Sequence, residues 1–150
     1  MNRIRLVLLA MLALIALPAG ALALTSDVTQ RLRTADVAAE AGAGVSAGDI
    51  ARLDQAAADM RARGFPTKFV LVANASDATD GAASALRSQL GRSTVATVIL
   101  LGPRRVGISS ARPAAAIFNE LRPAFRADPV GGAIQLADRL ASSTGGSGSG

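Results

Sequence analysis

The stretch from Val95 to Leu101 reads Val-Ala-Thr-Val-Ile-Leu-Leu and is followed directly by Gly102-Pro103. It is short, uncharged and rich in β-branched residues, and the Gly-Pro pair gives it a clear end. This pattern predicts a strand that is buried on both faces, as in the centre of an α/β sheet. The other elements are therefore expected as strands beside it or as helices over it.

Apolar patterning on either side predicts three more strands, at 36–40, at 68–73 and, after a turn too short for a helix, at 106–109. Helices are predicted at 47–63 and 80–90. The alternation of strand and helix favours parallel strands joined by right-handed crossovers, with 106–109 returning antiparallel. The predicted fold class is a three-layer α/β/α sandwich with a four-stranded, mostly parallel sheet and an antiparallel edge strand.

The C-terminal third contains two prolines that bear on its helices. A helix starting at Pro113 is predicted to end before Pro123, because the residue that precedes a proline avoids the helical conformation. Residues 123–129 are then expected to form a bend before a last helix at 130–141, and 142–150 is a flexible Gly/Ser tail. Three charged side chains around the bend are expected to form surface ion pairs: Arg122, Arg126 and Asp128.

The N-terminus has the pattern of a secretory leader. Two arginines precede an apolar run over 6–17, and Ala21-Leu22-Ala23 fits a cleavage site. We predict a signal peptide at 1–23 and a mature domain at 24–141. An uncleaved membrane anchor is the alternative, because nineteen residues from Leu6 to Leu24 carry no charge. Both interpretations predict an exported domain, either secreted or held on the extracytoplasmic face of the membrane by this segment.

Composition removes several classes of function. The chain has no cysteine, histidine, tryptophan or tyrosine, which excludes Ser-His and Cys-His nucleophilic pairs, zinc sites built on these ligands, and disulfides. A bound metal would be a hard cation such as calcium, held by oxygens. The formal net charge is +5, but the cations are scattered and there are only four phenylalanines, so nucleic acid is not an expected partner.

Oxygen-bearing side chains follow the first two predicted strands. Glu40 ends the first strand, while Asn74, Asp77 and Asp80 follow the second. Ligands of open parallel sheets bind beyond the carboxyl ends of the strands, so these four side chains form a candidate site for calcium or another hard divalent cation. The alternative is that Asp77 and Asp80 only cap the helix that follows them.

Two consecutive arginines follow the central strand. Arg104 and Arg105 are suited to gripping a phosphate or carboxylate bidentately, and the alternative is a solvated hairpin turn. A phosphatase without histidine or cysteine would need a carboxylate nucleophile or a metal-activated water, with an arginine to neutralise the transferred group. Asp77 or Asp80 with Arg104 is the candidate catalytic set.

Several stretches together are similar to the TPM domain family, over residues 36–141. They are Ala43-Gly44-Val45-Ser46 before a helix that contains Leu53, Phe69-Val70-Leu71-Val72, Val98-Ile99-Leu100-Leu101, Arg104-Arg105, and Arg122-Pro123-Ala124-Phe125-Arg126-Ala127-Asp128. The resemblance implies an exported or membrane-tethered α/β domain. Members of that family are described as acid phosphatases, calcium binders or repair factors for membrane complexes.

From the residues and the resemblance we expect an envelope module of the TPM-like kind that binds a protein partner or a divalent cation near the membrane surface. The first alternative is a metal-assisted acid phosphatase, which the resemblance alone suggests. The second alternative is a structural spacer, in line with the short Gly/Ser tail.

Overall fold

The computed structural model describes residues 27–143, so the predicted signal peptide and residues 144–150 of the tail lie outside the described residues. A helical segment over 27–32 comes first. The elements that follow are β1 (Val37–Ala39), α1 (Ala47–Ala62), β2 (Thr67–Leu71), a 3-10 turn (Ala75–Asp77), α2 (Asp80–Leu90), β3 (Thr97–Gly102), β4 (Arg105–Ser110), α3 (Ala115–Ala127) and α4 (Pro129–Ser142). Among these described helices, none is long and apolar enough to cross a membrane.

The four strands form one sheet in the order β1-β2-β3-β4. β1 and β2 run parallel, as do β2 and β3, whereas β3 and β4 form an antiparallel hairpin. Ile99 of β3 lies opposite Phe69 on one side and Ile108 on the other. The predicted central strand is therefore confirmed as an interior strand, and β4 is confirmed as the antiparallel edge.

Successive residues of β3 point to opposite faces of the sheet, and both faces are buried. Ile99 and Leu101 pack with α1, α3 and α4 on the first face, while Val98 and Leu100 pack with α2 and the 27–32 segment on the second. All four are at most 4% exposed. Each such side chain contributes about 1.5–3 kcal/mol by its burial. The three-layer α/β/α sandwich predicted from the sequence is therefore the fold.

Helices α1 and α2 begin at side-chain caps. Ser46 Oγ accepts a hydrogen bond from the backbone N–H of Asp49 (3.1 Å), and Thr79 Oγ1 accepts one from Ala82 (3.1 Å). These bonds satisfy N–H groups that have no partner within the helix. The Asp49 carboxylate pairs with Arg52 at 3.2 Å.

The predicted end of a helix before Pro123 is wrong, and so is the bend at 123–129. Helix α3 runs through Pro123 to Ala127, and the chain turns only at Asp128. Leu121 and Phe125 lie one turn apart and are 9% and 7% exposed in the first-face core. Burying both requires the helical spacing to continue past the proline, so packing outweighs the local preference against a helix.

Asp128 pairs with a distant arginine rather than with its neighbours in the sequence. Its Oδ2 accepts a hydrogen bond from Arg52 Nη2 at 3.0 Å, which joins α1 to the start of α4. This hydrogen bond lowers the pKa of Asp128, and the backbone N–H of Gly131 acts in the same direction. The predicted pairing of Asp128 with Arg122 and Arg126 is therefore wrong.

A folded-state pKa below the unfolded value means that ionised Asp128 stabilises the fold above about pH 4, and that this contribution is lost as the pH falls further. We expect Asp128→Asn to be less stable than the wild type at pH 7, with a difference that shrinks towards pH 3. The effect will be small, because the Asp128 side chain is 51% exposed. Urea unfolding at both pH values measures it. Asp54→Asn changes an exposed α1 carboxylate without an ion pair in the described chain, and an equal difference there would contradict the assignment.

Candidate functional site

A cavity of about 520 Å³ opens between the β3–β4 hairpin and the second half of α3. It exists because α3 lies mainly against α4 and leaves β4 partly uncovered. Four arginines and two phenylalanines dominate its lining: Arg104, Arg105, Arg122, Arg126, Phe118 and Phe125. Among the described residues no carboxylate lines it.

Three of these side chains come from one face of α3. Phe118, Arg122 and Arg126 follow each other at intervals of four residues, which places them one above another along the helix. The Arg122 guanidinium lies 5.8 Å from the centre of the Phe118 ring, a favourable cation–π arrangement. The rings of Phe118 and Phe125 are 5.2 Å apart and tilted by 60°. The cavity thus has an aromatic floor beside its positive charges.

The four cavity arginines carry charge that the fold does not neutralise. Within residues 27–143 none of them forms an ion pair, and all four are exposed. The two acidic residues nearest in the sequence are already engaged: Glu120 pairs with Arg139 at 2.6 Å, and Asp128 pairs with Arg52. Four like charges around one concavity raise the local positive potential and attract anions.

Arg104 adopts an unfavourable backbone conformation at the mouth of this cavity. Its φ is +57°, and in the described part of the chain it is the only residue other than glycine with a positive φ. Pro103 before it has a fixed negative φ, so the pair has the arrangement of a type II turn, which favours glycine at the second position. A side chain there costs about 1–2 kcal/mol. Such strain at a cavity mouth is typical of functional sites.

A second concavity of about 430 Å³ continues from the first along β4. The two share Val106, Phe118 and Arg122, and together we call them the arginine groove. Arg112 also borders the second concavity, but its guanidinium donates to the backbone carbonyls of Leu140 and Ala141. Arg112 therefore holds the end of α4.

The outer edge of β4 is covered near its middle by the start of α2. Asp80 Oδ1 accepts a hydrogen bond from the backbone N–H of Ile108 at 2.8 Å. A Cβ placed on Gly107 would lie only 2.3 Å from the carbonyl oxygen of Thr79, so the two backbones are in close contact. Another strand cannot pair along this edge without displacing α2. A ligand in the groove must use the side chains of β4 and α3.

The four predicted metal ligands lie along two loops of the sheet. Glu40 Oε2 accepts a hydrogen bond from the backbone N–H of Ala73 at 3.2 Å, next to Asn74. Asp77 ends the 3-10 turn, and Asp80 faces β4 instead. Among the described residues, no three or more Asp or Glu side chains are grouped as a metal site would need.

Of the predicted catalytic set, Arg104 lines the first concavity and Asp80 the second, whereas Asp77 is in neither lining. No hydrogen bond or ion pair in the described chain joins Arg104 to Asp77 or Asp80. Calcium binding and phosphatase chemistry stay predictions.

Sequence reasoning found Arg104 and Arg105 but missed the half of the site that α3 supplies. The spacing of Phe118, Arg122 and Arg126 was the available signal. Phe118 and Arg122 lie within the predicted helix, but Arg126 joins their row only if the helix continues through Pro123, which the local rule for proline argues against.

No model of a known protein family matches the chain, and no curated protein matches it. Among solved structures, it is similar to the N-terminal domain of the cg2496 protein from Corynebacterium glutamicum, determined by solution NMR. The match has a TM-score of 0.61 and 22% sequence identity, and covers 73% of this chain and 80% of that domain. The two chains share a fold. At this identity the likeness extends to the architecture alone.

Proposed function

We propose that this protein is a noncatalytic binding module that takes an anionic ligand in the arginine groove. The observation that carries the proposal is the set of four exposed arginines around a cavity of about 520 Å³, with no carboxylate among the described lining residues. Guanidinium groups bind carboxylate and phosphate oxygens through paired, charge-assisted hydrogen bonds. The aromatic floor beside them adds apolar contact for the rest of the ligand.

We further propose that the module works outside the cytoplasm, in the cell envelope and near the membrane surface, as a TPM-like domain would. The leader pattern at 1–23 supports this location, and the resemblance over 36–141 supports the family. A protein partner in that compartment would supply the anionic group.

The test is a titration of the ¹⁵N-labelled protein with inorganic phosphate, followed by NMR. Binding in the groove should shift the amide signals of the 102–106 hairpin and of the second half of α3. Arg122→Gln should weaken phosphate binding about tenfold, because a hydrogen bond to a charged group contributes about 1.5 kcal/mol. Arg33→Gln is the matched control, since Arg33 is exposed and precedes β1 at the opposite edge of the sheet.

Shifts that are scattered over the surface, or equal losses in Arg122→Gln and Arg33→Gln, would contradict the proposal. Hydrolysis of para-nitrophenyl phosphate in the presence of calcium or magnesium, lost in Asp77→Ala and Asp80→Ala, would contradict the noncatalytic assignment and support the metal-assisted phosphatase.

Replacing Arg104 by glycine should separate stability from binding. Glycine adopts a positive φ without a steric penalty, so Arg104→Gly should stabilise the fold by up to about 1 kcal/mol while weakening phosphate binding. Urea unfolding and the phosphate titration measure the two effects. Arg105→Gly, in β4 beside it, should lose stability instead, because glycine weakens a strand. A stable Arg104→Gly protein that binds phosphate as well as the wild type would show that Arg104 is not a ligand.

A further inference from the structure

We infer that the occupant of the arginine groove is a short, extended acidic segment of another protein, with an apolar side chain next to its carboxylates. This inference rests on the proposed function, because it names the class of anionic ligand for the same site. It follows from the length of the groove, from the apolar surface beside its arginines, and from the covered edge of β4.

The groove is long enough for a peptide. Its two concavities meet at Val106, Phe118 and Arg122 and extend from the hairpin to Ser110. β4 has six residues, which at about 3.3 Å per residue corresponds to about 20 Å. A single phosphate or carboxylate would occupy only the hairpin end. An extended segment of about five residues would occupy the whole.

The chemistry of the groove changes from one end to the other. At the hairpin end the arginines lie beside the partly exposed apolar side chains of Val106 and Phe118, and no described carboxylate lines this part. Farther along β4 the lining is mixed and contains Ile108, Ser110 and the Asp80 carboxylate. A ligand that complements the hairpin end has negative charge and, directly next to it, an apolar side chain. Free inorganic anions lack the second feature.

The shape of the groove also restricts how such a ligand binds. Because Asp80 accepts the N–H of Ile108 and Thr79 abuts Gly107, the segment cannot join the sheet as a fifth strand. It must lie between β4 and α3 and bind through its side chains. A flat membrane surface would contact the exposed arginines but would not reach the apolar floor between these elements.

The experiment uses fluorescein-labelled peptides and the full chain, with binding followed by fluorescence anisotropy. The probe is acetyl-Glu-Phe-Glu-Val-Glu-amide, and the matched probe of equal charge is acetyl-Glu-Ser-Glu-Ser-Glu-amide. We expect the first to bind about tenfold more tightly than the second, since it also fills the apolar part of the groove. Arg122→Gln should weaken both about tenfold, while Arg33→Gln should weaken neither.

A second variant addresses the apolar part alone. Val106→Thr keeps the shape of the side chain and should weaken the Phe/Val peptide about threefold while leaving the serine peptide unchanged. Circular dichroism of each variant verifies folding before the titrations.

Three results would overturn the inference. If the two acidic peptides bind with equal affinity and Arg122→Gln abolishes the binding of both, the groove is a general anion site and the inference of a peptide ligand is wrong. Phosphatidylglycerol vesicles that bind more tightly than the peptides, and that depend on Arg122, would identify a membrane surface as the ligand. Peptide binding that is unchanged by Arg122→Gln would contradict both the inference and the proposed function.

Discussion

Replacing Gly107 by alanine is expected to destabilise the protein by about 3 kcal/mol, at the upper end of the effects of overpacking. The new Cβ would lie 2.3, 2.5 and 2.7 Å from the carbonyl oxygen, carbonyl carbon and nitrogen of Thr79. These are backbone atoms at the cap of α2, so they cannot rotate away as a side chain would. The helix would have to move off β4 and lose the hydrogen bond between Asp80 and Ile108. Urea unfolding measures the difference.

Gly81→Ala is the matched control, because it makes the same change in the first turn of α2. Its new Cβ would meet only Thr79 Oγ1, at 4.0 Å, and alanine has the higher helix propensity. The control should be stabilised by up to about 1 kcal/mol. A Gly107→Ala protein as stable as the wild type would show that the contact between β4 and α2 is looser than described.

Replacing Pro123 by alanine should have the opposite sign and stabilise the protein by about 2 kcal/mol. Proline within a helix costs about 3 kcal/mol relative to alanine, because it lacks the N–H that would bond to the carbonyl of Asn119. The substitution also raises the conformational entropy of the unfolded chain, which reduces the gain in stability by up to about 1 kcal/mol. Pro123 is exposed, so the change removes no core contact.

Pro113→Ala provides the comparison, since Pro113 is also exposed but lies outside the helices and strands. There only the entropy of the unfolded chain changes, and we expect a loss of up to about 1 kcal/mol. Thermal or urea unfolding of the two variants should therefore move in opposite directions. Equal shifts would mean that α3 gains nothing from an added N–H at position 123.

The sheet could be predicted from the sequence because its signals are local and strong. The four successive apolar residues from Val98 to Leu101 are followed directly by Gly102-Pro103, and a short run that ends in this way favours a strand covered on both faces. Gly64 and Gly91 directly follow the predicted helices 47–63 and 80–90, and both have the positive φ values that are common where a helix ends.

Helix α3 could not be predicted in full, because the decision at Pro123 depends on contacts elsewhere in the fold. Phe125 is buried against α4, which lies later in the chain, and that burial outweighs the preference of a residue before proline. Only the hairpin half of the arginine groove could be predicted, because the other half also depends on contacts elsewhere in the fold. The hairpin arginines are adjacent in sequence, whereas Arg122 and Arg126 join them only once α3 is known to continue and to rest on α4.

The close seating of α2 on β4 also bears on self-association. Fibrils grow when the backbone of one molecule ladders onto an open border of the next, and this sheet offers little for that process. One border is a strand of only three residues, β1, and the other is obstructed at Gly107 and Ile108. In a chain that is 50% hydrophobic, the geometry of these two borders thus limits polymerisation by this route.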